Sequence, residues 1–130
     1  MGLILRLHGD LRWIVALLAL VVITKFTLGL VRRDSFERID RVLFAATTGF
    51  MDLNLLLGTI LLVGLGNGFP RHRIEHAITQ ILAILVMHSS TYWQDNSSSQ
   101  IKFRNGLLTV LIALIIIFIG IIRLRGGWTF

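Results

Sequence analysis

His72, His76 and Gln80 recur every four residues, and the same helical face continues through Ala83 and Met87 at steps of three and four. Imidazoles on one face can bond a neighbouring helix, relay protons or ligate a metal. Two neutral imidazoles facing each other across a helical bundle are what a six-coordinate b-type haem requires. His8, in a separate segment, makes the second candidate, so His8 and His76 are the expected haem ligands if a haem is held at all. Arg6, Arg12, Arg71 and Arg73 would then meet its propionates, and Gln80 and Met87 would border it. Without a cofactor, His76 and Gln80 bond to adjacent helices and set the bundle register, at about 0.6 kcal/mol or somewhat more each. His88 lies about a third of a turn off this face, at the opposite end of its segment.

Asp52 stands about ten residues inside an apolar run, and Lys25 stands in the last third of another. An ionisable group at membrane depth costs at least ~2.5 kcal/mol against lipid, so Asp52 is expected to face the bundle. Thr48, Asp52 and Thr59 share a face and suggest a polar seam. A Lys25–Asp52 ion pair is the structural expectation. Lys25 reaching the membrane surface beside a protonated Asp52 competes with it, and a proton-relay or quinone role for Asp52 is the functional alternative.

The elements that must position these groups follow from composition. The chain has 130 residues, 55% of them hydrophobic, with no cysteine and a single proline, and its mean hydropathy is +0.78. That is far too apolar for a soluble domain of this length. A hydrocarbon core ~30 Å thick needs about 20 helical residues. Four such segments fit, at 11–31, 42–65, 73–93 and 106–122, and they use nearly the whole chain. The fold class expected is therefore all-α, a single four-helix transmembrane bundle of antiparallel up-down topology with both termini on one side. Residues 1–10 read as a short lead-in and not as a cleavable signal, because the apolar region from Trp13 is too long and lacks a small-residue cleavage site. Asp34 and Glu37, spaced as a capping box, suggest an interfacial turn of helix between the first two spans. Gly64–Pro70 reads as a glycine-rich turn, and Asp95–Ser99 as a solvated loop. The third segment is the most polar, carrying Glu75, His76, Thr79, Gln80, His88, Ser89 and Ser90, and is expected to be the best protected from lipid. In the fourth, Gly106, Thr109, Ala113 and Gly120 form a small-residue ridge suited to close packing.

Charge and missing motifs narrow the function. The net charge of +6 resides at the ends of apolar segments, where arginines meet lipid phosphates, so no nucleic-acid partner is expected. Six Lys/Arg fall on each side of the membrane, with Lys25 besides, so the positive-inside rule sets no orientation. Trp13 and Trp128 fall at one surface, Tyr92 and Trp93 at the other. Zero cysteines exclude disulfides, thiolate catalysis, iron–sulfur ligation and covalent haem attachment. A phosphate-binding glycine loop is missing, and the His72–His76 pair lacks the carboxylate setting of a zinc site. No catalytic residue and no metal site are expected.

Three stretches carry a resemblance: Leu7-His8-Gly9-Asp10-Leu11-Arg12-Trp13, Asp52-Leu53-Asn54-Leu55-Leu56-Leu57-Gly58, and Glu75-His76 with His88 beyond. Together they resemble a family of small, largely uncharacterised bacterial four-helix membrane proteins, some of them cytochrome b-like, with a Leu-His-x-x-Leu-Arg-Trp start. The resemblance implies His8 and His76 as haem-ligand candidates and Asp52 in an inner seam. The chain departs from the cytochrome b561 pattern, since His88 is alone at its surface. It is also similar to accessory subunits of respiratory or photosynthetic complexes such as alternative complex III. It lacks the helix 1 glutamate of small multidrug transporters and the helix 2 signature of the glutathione-family membrane enzymes.

The expected function is a non-catalytic accessory subunit of an electron-transfer complex in the bacterial inner membrane. Its expected partners are larger membrane subunits and phospholipids, with quinone nearby, and it needs no cofactor of its own. The alternatives are a mono-haem b-type cytochrome using His8 and His76, and a small proton-coupled transporter using Asp52. Lys25, Asp52, Gln80 and His88 are the intramembrane polar candidates.

Overall fold

Where a backbone has no water to bond, it must satisfy its own N–H and C=O groups, and long apolar runs do so as helices. The computed structural model describes residues 1–66 and 68–125. They form α1 (Gly2–Arg32), α2 (Arg38–Gly64), α3 (Arg71–His88) and α4 (Ser99–Arg125), with a 3-10 turn, Ser89–Tyr92, extending α3. No strand occurs among the described residues. By length and composition α1, α2 and α4 are each apolar enough to cross a membrane. The polar residues of α3 keep it below that threshold.

The helices outrun the apolar runs that betray them. α1 begins at Gly2, so residues 2–10 are helix and not a lead-in, and His8 lies within α1. α4 starts at Ser99, seven residues before its apolar run, where Ser98 Oγ accepts the Ile101 N–H. Hydropathy locates the part of a helix that meets hydrocarbon, whereas helix ends are set by caps. The α1–α2 connection shows the same point. Arg33 closes α1 in a left-handed conformation (φ 57°), and α2 opens where the Glu37 N–H donates to Asp40 Oδ2 at 2.8 Å. The cap is thus Glu37 with Asp40, in place of the expected Asp34 with Glu37, and residues 34–37 are not helical. Between α2 and α3, Gly66 and Gly68 take positive φ, a conformation that side chains resist. Trp128, expected at one membrane surface, lies outside the described residues.

α1 packs against α2 and α4, and α3 packs against α4 most extensively and against α2 least. The core runs along Val15, Ala19, Val22 and Phe26 of α1, Phe44 and Met51 of α2, Ala83 and Met87 of α3, and Phe103, Val110 and Ala113 of α4. Phe26, Phe36, Phe44, Phe103 and Trp93 close one end as an aromatic cluster, with ring centroids 5.1 to 6.2 Å apart. Glycine makes this possible. A Cβ on Gly29 would lie 2.5 Å from the Phe103 ring, and one on Gly106 would collide with Phe26. Gly106, Thr109, Ala113 and Gly120 all point inward. Large residues such as Leu17, Leu20, Val63, Leu85 and Ile115 cover the outside. That distribution suits a lipid-facing bundle, whose helices gain from close backbone approach and not from hiding apolar surface.

One expectation fails at this level. α3 is not the best protected helix: only Ala83 and Met87 are buried in it, while Ile74, Ile78, Ile81, Leu82 and Leu85 are exposed. Its polar stripe is narrow, and its narrow contact with α2 leaves two sides open.

Candidate functional site

His8 projects from α1 onto α2, where its Nδ1 lies 3.0 Å from the Asn54 carbonyl oxygen. A carbonyl only accepts, so Nδ1 carries the proton and Nε2 of the neutral ring is left as an acceptor. Gly58, one turn beyond Asn54, gives the ring its place, since a Cβ there would lie 3.0 Å from His8 Cε1. His76, on α3, faces the Gly120 backbone of α4 and lies within electrostatic reach of His8. Its Nδ1 is buried with no hydrogen-bond partner. The sequence candidates His8 and His76 therefore lie at the same end of the bundle.

Around them lie further buried polar atoms without partners: Arg12 Nε, Arg73 Nη1, Asn54 Oδ1 and Gln80 Nε2. Buried polar groups are nearly always paired, so several orphans at one end of the bundle mark a place where something else is meant to bond. Arg12 and Arg73 were expected beside the histidines; Asn54 had no assigned site role in the sequence, although it is a polar residue inside a leucine run, which is the signal that could have singled it out. His72 is exposed at the outer end of the stripe.

The second cluster is lateral. His88 Nε2 lies 3.1 Å from each of Asp52 Oδ1 and Oδ2, bridging α3 and α2. The two side chains are 52% and 42% exposed, respectively. Asp52 thus sits in the outer α2–α3 groove and not inside the bundle as expected. The reason lies in the partner: His88 of α3 reaches the carboxylate across the α2–α3 groove. The expected polar seam is not formed either. Thr48 is buried and Thr59 exposed, and each hydroxyl donates to a carbonyl of its own helix, Phe44 and Leu55.

Lys25 does not pair with Asp52. Its Nζ lies 2.6 Å from Oδ1 of Asp40, which is 1% exposed against 41% for Lys25. This pair locks the start of α2 onto α1 near the aromatic end and has no access to the histidines. Among the described residues, no group of three or more His, Cys, Asp or Glu could hold a metal ion. No family model matches the chain, and neither a curated protein nor a solved structure matches it.

Proposed function

We propose that the chain is an integral membrane subunit: an up-and-down four-helix bundle with both termini on one side, non-catalytic by itself, that packs against larger subunits of a bacterial electron-transfer complex in the inner membrane. The register contacts support the topology, since Lys25 of α1 meets Asp40 near the start of α2 while His8 meets Asn54 beyond its middle. The observation that carries the reading is the Asp52–His88 pair. Trp93 lies beside Gly106 and Thr79 beside Gly120, so His88 sits level with the apolar run of α4. A half-exposed carboxylate–imidazole pair at that depth is costly against lipid and is satisfied by a polar surface of a neighbouring protein. The electron-transfer assignment rests on the resemblance of the His8, Asp52 and Glu75-His76 stretches.

The test is purification of the tagged chain from native membranes in mild detergent. The wild type is expected to carry larger redox subunits in fixed ratio, and Asp52→Leu or His88→Leu to lose them. A chain that is stable and functional with no partner would overturn the reading.

A second reading is favoured by the orphaned His76 Nδ1 at the same end of the bundle as His8. A b-type haem would be held by His8 and His76, with the unpartnered nitrogens of Arg12 and Arg73 near its propionates, and would supply one-electron transfer. A Soret band lost in His76→Ala would establish it, and a spectrum retained in that variant would sink the assignment.

A further inference from the structure

The α1–α4 interface is tight at the aromatic end, where Gly29 and Gly106 admit phenylalanine rings, and opens at the other. There a cleft of about 330 Å³ is walled by Trp13, Val15 and Ala16 of α1 and Leu114, Ile117 and Ile121 of α4. Met51 and Asn54 of α2 and Gln80 of α3 also line it, and Arg12 and Arg125 are its charged residues. The volume lies within the ~300–1,000 Å³ range of small-molecule sites.

Four observations define the occupant. Arg12 Nε and Gln80 Nε2 are buried donors without acceptors, so the ligand must offer acceptor oxygens. Arg12 brings a cation to the cleft and no carboxylate of the described residues lines it, so the acceptor group should be an anion. Arg12 and Arg125 stand at the ends of the apolar runs of their helices, while the walls inward of them are hydrocarbon. The ligand therefore has a charged head at the membrane surface and an apolar tail directed inward. Asn54 Oδ1 is an orphaned acceptor and calls for a hydroxyl on the same head.

We propose that this cleft binds one anionic phospholipid with a hydroxyl-bearing head group, its phosphate at Arg12 and Gln80 and an acyl chain along Val15, Ala16 and Ile117. The proposal rests on the reading of the chain as a membrane-embedded subunit, and it specifies one of that subunit's partners. A neutral quinone would satisfy the donors but bring no countercharge to Arg12.

The test is native mass spectrometry of the isolated full-length chain, transferred to detergent from bilayers containing equal phosphatidylglycerol and phosphatidylcholine. One phosphatidylglycerol should remain per chain, preferred over phosphatidylcholine by about tenfold or more, and Arg12→Gln should erase the preference. Ala16→Phe, which fills the cleft and leaves the charges in place, should remove the lipid altogether. Equal retention of the two lipids, retention of phosphatidylglycerol by Arg12→Gln at the wild-type level, or recovery of a neutral quinone in its place would each overturn the proposal. If either variant fails to fold, the competition in the wild type decides alone. The measurement needs no partner subunit, so failure of the co-purification experiment and failure of this one are distinguishable.

Discussion

At the scale of single residues, the two ion pairs made by neighbouring residues at the start of α2, Lys25–Asp40 and Arg41–Asp95, have different jobs. Asp40 is buried, with one oxygen on the Glu37 N–H and the other on Lys25. Removing its cation strands a desolvated carboxylate, and Lys25→Met should cost about 1–3 kcal/mol. Adding Asp40→Asn, which keeps an acceptor for the cap, should recover part of that loss. Denaturant titration in mixed micelles followed by circular dichroism checks both. Equal losses in the single and double variants would show that the pair is not coupled. Asp95 lies in the solvated loop, where a 2.7 Å hydrogen bond from Arg41 and its charge hold the carboxyl below the usual carboxylate value. A carboxyl depressed on folding contributes stability that is present above the unfolded value, near 3.8, and lost as pH falls through the folded one. Asp95→Asn should therefore flatten the acid limb of a stability-against-pH curve, and high salt should mimic it. An acid limb unchanged by the substitution would show that this pair does not act.

At the scale of elements, the helices are held by absent side chains as much as by present ones. A methyl group on Gly29 or Gly106 would drive a ring out of the aromatic cluster, and each alanine variant should cost about 1–3 kcal/mol. Gly49 and Gly9 have nothing within 4 Å of such a methyl, so Gly49→Ala should be neutral or slightly stabilising. Thermal midpoints of the three variants in one detergent give the comparison. Equal midpoints would mean that the ring cluster adapts freely. Much of this scale was legible beforehand. The ridge of Gly106, Thr109, Ala113 and Gly120 and the Gln80, Ala83 and Met87 face of α3 both follow from helical periodicity. What periodicity missed was the extent of each helix, because polar first and last turns carry no hydropathic signal.

At the scale of the whole molecule, the bundle has a closed aromatic end and an open polar end. The Asp52–His88 pair lies on its outer wall. A partly exposed pair of this kind contributes about 1 kcal/mol or less to a fold, so Asp52→Asn should leave the isolated chain's stability nearly unchanged. If the pair serves a partner, the same substitution should weaken co-purification of the larger subunits. A variant that unfolds in isolation but still co-purifies would reverse this assignment.

The sequence by itself determined that the chain folds as four helices and which small residues face inward; it read all four as membrane spans, whereas three are apolar enough to cross a membrane. These follow from composition and from the 3.6-residue period, which act locally. It did not determine which ionisable groups meet. Lys25 was matched with Asp52 and Asp52 was turned inward, because both choices considered depth along a helix but not rotation and register between helices. Tertiary packing decides those, sending Lys25 to Asp40 and Asp52 to His88. The sequence had grouped His8, Arg12, His76 and Gln80 at one end by depth alone; packing adds Asn54 of α2 and shows which of their atoms are left unpaired.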